Sequence, residues 1–319
     1  MKIRKISLIL AVCIFLSACG GGKTPESPEI SDAAVTFTDD LGRSVTVDDP
    51  RRVAPLLGSF AQVWMLAGGT VHATAEDAWD DLDLELSESA INLGHTKKLS
   101  LERLLDAEPD FILASVNTIQ QVEWKDTLAA TGIPVAYFDV SDFDDYLRLL
   151  SVCTDITGRK DLYEKNGTAV RNQIEAVLEQ SRERLEKEAP PTVLSMVASA
   201  SNVYVKNSRG NVLGEMLYQL GCINIADSDN FLLENLSLEH ILQADPDYIF
   251  IVQRGDDEAG MRQYVRQILL ENPAWGQLRA VQNDRVYFME KNLYNLKPNH
   301  RWGEAYEKLE AIFRENQSD

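Results

Sequence analysis

The sequence predicts an α/β protein made of two related lobes joined by one long helix, and three observations predict it. The stretch Leu99–Ala114, LSLERLLDAEPDFILA, returns without a gap as Leu236–Ile251, LSLEHILQADPDYIFI. The copies share Ser100/Ser237, Glu102/Glu239, Pro109/Pro246 and Asp110/Asp247, among others. Each reads as a serine-capped helix, a Pro-Asp break that no helix continues through, and an apolar strand. Two copies this far apart mean two lobes rather than a solenoid. Strand and helix patterns alternate around both copies, which predicts a mostly parallel sheet with helices on both faces. Finally, Lys160–Glu188 is the longest uninterrupted helical pattern, with Leu162, Val170, Ile174, Val177, Leu178 and Leu185 on one stripe and Pro190-Pro191 as its stop. At about 1.5 Å per residue it spans on the order of 40 Å, enough to run from lobe to lobe. Such a rod resists bending, so the lobes are expected to close only slightly; Gly167 is its weak point.

In chain order, Met1–Ala18 begins with Lys2, Arg4 and Lys5, continues through apolar Ile6–Phe15 and ends on small residues. That pattern predicts a cleaved signal, too short to span a bilayer comfortably. Leu16-Ser17-Ala18-Cys19 resembles the bacterial lipobox, in which the cysteine takes a diacylglyceryl group. Residues 1–18 are therefore read as a lipoprotein signal peptide and Cys19 as the lipidation site, anchoring the chain to the membrane. Residues 19–34 lack apolar periodicity and read as a flexible tether.

The N-terminal lobe is expected over 35–158. It opens with strands Val35–Phe37 and Ser44–Val47 around Asp40-Leu41-Gly42, then strand Val53–Leu57 and a helix from Ser59 to about Leu66. Strand Val71–Ala75 and helix Asp77–Glu85 precede the first repeat copy. Helix Gln121–Thr131, strand Pro134–Val140 and helix Phe143–Thr157 close the lobe. The linking helix occupies 159–189. The C-terminal lobe, 190–319, carries strands Val193–Val197 and Val203–Val205, helix Val212–Leu220, the second repeat copy, helix Met261–Leu270, strand Val286–Met289 and helix Trp302–Phe313.

The formal charge is −19, and loss of the three basic residues of the signal takes it to −22. Such acidity argues against nucleic acid or anionic lipid as partners. Of four cysteines, Cys13 and Cys19 belong to the signal and the lipid; Cys153 and Cys222 fall in different lobes on apolar helical patterns and read as buried thiols. No G-x-S-x-G, P-loop, G-x-G-x-x-G or C-x-x-C occurs, so no catalytic motif supports an enzyme.

Several motifs in order and at appropriate spacing carry a resemblance: Thr38–Val47 (TDDLGRSVTV), the two repeat copies, Thr131–Val135 (TGIPV), Leu220–Asp227 (LGCINIAD) and Asn272–Phe288 (NPAWGQLRAVQNDRVYF). From about Val35 to Phe313 the chain resembles the substrate-binding lipoproteins of ABC importers that capture ferric siderophores, haem or cobalamin. The resemblance implies two Rossmann-like lobes, a rigid linking helix and a ligand cleft between the lobes. It also implies a monomeric extracytoplasmic receptor without a resident cofactor, whose ligand is an iron or cobalt complex and whose partner is a dimeric permease. One departure is Cys222-Ile223, where the family tends to glycine and an acidic residue.

Strand ends and the loops after them supply the cleft candidates. From the first lobe these are Ser59, Phe60, Glu76, Asp77, Trp79, His95, Thr96, Asn117 and Thr118. From the second they are Asn207, Ser208, Arg209, Tyr294, Lys297, His300 and Arg301. Aromatic and basic side chains suit a bulky or anionic metal complex. Arg301 sits where similar proteins carry a cleft arginine ahead of the last helix. For haem, His300, Tyr294 and Met196 are the candidate axial ligands. His72, His95, His240 and His300 are scattered, a poor pattern for a bare metal ion. Glu102 and Glu239 occupy the same place in both copies: an acid in a helix's first turn favours the dipole, and identical carboxylates on related lobes also suit a two-fold permease with one basic pocket per lobe. A sensor or adhesin built on the same fold, or a bare-ion receptor, are the alternatives.

Overall fold

The structure, a computed structural model, describes residues 34–315. The signal of residues 1–18, the lipidation site Cys19 and the tether up to residue 33 lie outside the described residues.

In the N-terminal lobe, β1 (Val35–Thr38) and β2 (Ser44–Val47) form an antiparallel hairpin. Buried Asp39 holds its turn, accepting from the backbone N–H groups of Leu41, Arg43 and Tyr137 and pairing with the Arg43 guanidinium. The parallel strands β3 (Val53–Pro55), β4 (Ala73–Thr74), β5 (Ile91–Asn92), β6 (Phe111–Ser115) and β7 (Val135–Phe138) follow. They pair as β3-β6-β7 and β4-β5, and a bridge between Val53 and Val71 joins the two sets. The C-terminal lobe has β8 (Thr192–Ala198), β9 (Val203–Lys206), β10 (Ile223–Asn224), β11 (Tyr248–Gln253) and β12 (Val286–Met289). Their order is β10-β8-β11-β12, all parallel, with β9 antiparallel on β8.

The two copies of the repeat share their caps and anchors. Ser100 and Ser237 cap the helices Leu101–Asp106 and Leu238–Ala244 through their hydroxyls. Each copy then places a non-glycine residue in the left-handed region, Glu108 at φ +46° and Asp245 at φ +42°, immediately before its proline. A residue before proline cannot stay helical, so the chain turns sharply there. Asp110 and Asp247 follow and fasten the neighbouring strand. Asp110 accepts from the N–H groups of Arg51 and Arg52 at 2.8 Å each. Asp247 accepts from the N–H and hydroxyl of Thr192 at 2.9 and 2.7 Å.

The connector is helical from Lys160 to Leu185, with a π-turn at Glu164–Thr168 between the segments Lys160–Tyr163 and Ala169–Leu185. Gly167 sits in that turn, where an added Cβ would lie 2.9 Å from the Leu147 side chain of the Phe143–Thr157 helix and force it to shift, so glycine favours the close approach of the two helices. The Asn166 carbonyl accepts from the Tyr146 hydroxyl at 2.9 Å. Near its far end Arg184 forms a buried bidentate pair with Glu310 of the last helix, Trp302–Glu315, at 3.0 and 3.2 Å. One apolar core runs from Trp64 and Phe111 through Val170 and Ile174 to Phe250 and Phe313, so the connector belongs to the core of both lobes. Cys153 and Cys222 are buried, free thiols, and burial pushes both pKa values up.

Two expected helices differ. Asp77–Glu85 is helical only over Asp77–Asp80; beyond it Leu82, Leu84 and Leu86 alternate with exposed Asp83 and Glu85, a two-residue period that belongs to extended chain. Gln121–Thr131 divides at Trp124 into Ile119–Glu123 and Lys125–Ala129.

Candidate ligand cleft

The carboxyl ends of β3, β6, β8 and β11 open into the space between the lobes. A chamber of about 560 Å³ there is lined by Ser59, Ser115, Asn117 and Ile119 on one side and Arg254, Leu296 and Lys297 on the other. A second, of about 330 Å³, shares Asn117, Arg254 and Lys297 and is walled by Val197, Lys206, Asn211 and Tyr294. A side recess of about 190 Å³ meets Arg254 again and is lined by Glu76, Asp77, His95, Thr96 and Lys97. The buried amide of Gln121 fixes the N-terminal wall: its nitrogen donates to the Leu56 carbonyl and its oxygen accepts from Ser115 N–H, at 2.9 and 2.7 Å. The side chain of Asn117 donates to Asp139 at 2.7 Å.

Asn299, Lys291 and Asn292 make contacts that cross the cleft and set the distance between its walls, the Asn292 amide donating to the Asp81 carbonyl at 2.9 Å. Asn299, buried and at φ +54°, donates to the Ser59 carbonyl and the Gln62 amide oxygen at 2.9 and 2.8 Å. Lys291 lies 2.6 Å from both Asp81 and Asp256, one carboxylate from each lobe. Burial works against its ammonium, but Asp256 and Asp81 hold its pKa above the ordinary lysine value. Asp77 accepts from Gly58 N–H at 2.9 Å, at the start of the Gly58–Leu66 helix. Burial pushes the Asp77 carboxyl up to about 6, with the charge of Asp81 adding to the rise against the pull of that hydrogen bond. Lys297 is half-buried and burial lowers its pKa; Asp139, Asp77 and Asp145 oppose the change, yet none reaches ion-pair distance.

A family model described as periplasmic binding protein matches residues 53–293, which is most of the chain. The chain belongs to that family. This periplasmic binding protein is 24% identical to the iron-uptake system-binding protein of Bacillus subtilis, over 98% of this chain and 96% of the relative. It is also 24% identical to the Fe(3+)-citrate-binding protein YfmC of the same organism, over 91% and 89%. The crystal structure of the periplasmic vitamin B12 binding protein BtuF of Vibrio cholerae superposes with a TM-score of 0.68 at 18% identity, covering 85% of this chain and 99% of that one. The fold is the shared two-lobed one, and the protein binds solute rather than catalysing a reaction.

Of the residues expected in the cleft of this periplasmic binding protein, Ser59, Asn117, Thr118 and Lys297 line the first chamber, and Tyr294 lines the second. Glu76, Asp77, His95 and Thr96 line the side recess. Phe60 is a correction: it is 1% exposed, within the apolar core on the far side of its helix from the cleft-facing Ser59. Arg209 is another, since its guanidinium pairs with Glu215 at 3.0 Å and stacks on Tyr218 at 3.8 Å, outside all three cavities. Trp79 is half-buried beside the cavities without lining them. Ser208 is buried, its N–H donating to Asp227. His300 is exposed next to Arg301, and partial desolvation together with that guanidinium lowers its pKa. Arg301 is bidentate to Glu304 at 2.7 and 2.9 Å and faces a separate recess behind the Lys291 bridge. Glu102 and Glu239 are exposed, each in the first turn of its helix.

Arg254, Lys206 and Lys97 escaped sequence reading. For Arg254 the signal existed: in the repeat it is the equivalent of Asn117, just past the end of the same strand. Lys206 ends β9, an edge strand whose facing is set by pairing rather than by pattern.

Proposed function

We propose that this protein is a lipid-anchored, extracytoplasmic receptor that holds a metal chelate in the inter-lobe cleft and hands it to an ABC permease. The observation that carries this reading is a chamber formed only where two lobes meet, lined from both by the residues that follow parallel strands, the place where open α/β sheets bind ligands. The two Bacillus relatives are named for iron uptake and for ferric citrate, which supports a chelated iron cargo. Among the described residues no three His, Cys, Asp or Glu side chains cluster as they would around a bare ion. Glu102 and Glu239, repeat-equivalent and exposed, are the contacts offered to the permease, and Cys19 carries the lipid.

Native mass spectrometry of the purified chain with ferric citrate, a ferric hydroxamate, a ferric catecholate, haemin and cobalamin tests the first half. One complex retained at a ratio of one to one is expected; retention of none contradicts the reading. The second half is tested by Glu102→Lys with Glu239→Lys. Uptake into cells should fail while ligand affinity persists, and lost affinity would remove the docking role.

A further inference from the structure

Resting on that receptor reading, we propose that the cleft selects a compact polycarboxylate chelate of net negative charge, gripped from the C-terminal lobe by Arg254, Lys297 and Lys206. The charge distribution points there first. In a chain of formal charge −19, the two chambers that share Asn117, Arg254 and Lys297 are lined by Lys97, Lys206, Arg254 and Lys297 against one acid, Asp77. None of these four cations has an ion-pair or side-chain hydrogen-bond partner among the described residues. The neighbouring arginines do: Arg209 holds Glu215, Arg262 holds Glu258 and Arg301 holds Glu304. A cleft that gathers unpaired cations while pairing the rest presents donors to a ligand. Carboxylate oxygens fit them, because an arginine fork takes a carboxylate in bidentate fashion and a lysine adds a point charge.

The rest of the lining separates this class from the other chelates. Flat aromatic ligands stack on rings, but Tyr294 is the one aromatic residue among those lining the two chambers, and its hydroxyl donates to the Ala305 carbonyl at 3.0 Å. A haem iron would need an axial ligand. His300 lies outside the chambers, Met196 is fully buried in the core of the second lobe, and Tyr294 is engaged as described. A neutral hydroxamate offers the cations no charge and leaves them desolvated, which is costly. The aliphatic remainder, Leu57, Ile119 and Leu296, covers a compact ligand without discriminating among them.

The test is fluorescence titration of the full chain with ferric citrate, ferrioxamine B, a ferric catecholate and haemin, in low and high salt. Ferric citrate should bind tightest and weaken as salt rises. Arg254→Gln and Lys297→Gln should each cost about 10- to 100-fold in affinity, the value of one charge-assisted hydrogen bond. Lys297→Arg, which keeps the charge, should retain binding, and unchanged melting temperatures would separate lost contacts from lost folding. Tighter binding of the hydroxamate, the catecholate or haemin, or glutamine variants with unaltered affinity for citrate, would overturn the ligand class and leave the receptor reading intact. If no chelate binds the parent chain, the receptor reading itself fails and the ligand class with it.

Discussion

The two lobes use one unit in the same way as scaffold and in different ways as binding surface. In both, a serine caps a helix, a left-handed residue and a proline stop it, and an aspartate fastens the adjacent strand. Past the strand they diverge. The N-terminal lobe faces the chambers with hydroxyl and amide groups, Ser59, Ser115 and Asn117, together with Asp77 and Lys97. The C-terminal lobe brings Lys206, Arg254 and Lys297. Asn117 and Arg254 mark the divergence best, being one position of the repeat with neutral chemistry in one lobe and a cation in the other. A duplicated fold unit keeps its backbone anchors and leaves function to the residues beyond the strand ends.

The largest expected stability effect lies in the second lobe. Glu310→Ala leaves Arg184 buried and unpaired and should cost about 3–5 kcal/mol in urea unfolding. In the first lobe Arg43→Ala leaves the buried Asp39 carboxylate with the backbone N–H groups of Leu41, Arg43 and Tyr137 as donors, so it should cost less. Next come Asp110→Ala and Asp247→Ala, each expected to cost about 1–2 kcal/mol by removing two hydrogen bonds that fasten the neighbouring strand. Comparable losses in the two variants sharpen the equivalence of the lobes, and a loss confined to one breaks it. Smaller again is the effect of ligand on lobe separation. With the connector in both cores, and Asn299 and Lys291 spanning the cleft, solution scattering with and without ligand should show a small closure; a rotation of several tens of degrees would contradict the rigid connector.

The smallest effect is pH-dependent. Asp77 titrates near 6, above its unfolded value, so its contribution to stability is full below about pH 4 and is lost as pH rises through 6. The same proton removes the charge of the acid that lines the first chamber with the cations. Affinity for an anionic chelate should therefore rise a few-fold from pH 7.5 to 5.5, and Asp77→Asn should flatten that change relative to the parent chain measured with the same probe.

Much of the fold was legible because it rests on local chemistry. The repeat, its caps and the Phe143–Thr157 helix follow from serine, proline and apolar spacing. Gly167 was legible as a weak point in the linking helix, though its tight approach to Leu147 was not. The strands β5 and β10 were missed because two residues carry no period. The cleft was legible at located strand ends, which point to Ser59 and Asn117, and in the segment before the last helix, which holds Lys297. Phe60 and Arg209 show the limit. Ser59 and Phe60 are adjacent, and helix rotation turns one to the cleft and the other to the core. Glu215, the partner that occupies Arg209, lies one helical turn into the following helix, where sequence reading had no cause to pair them. The buried Arg184–Glu310 pair joins residues 126 apart, a separation at which pattern carries no information.

The most direct test of the cleft as the ligand site is anomalous diffraction at the iron edge from crystals grown with ferric citrate. The account predicts one iron peak between the lobes, with ligand oxygens within hydrogen-bonding distance of Arg254 and Lys297. An iron peak elsewhere on the molecule, with the inter-lobe chamber holding only solvent, would contradict it.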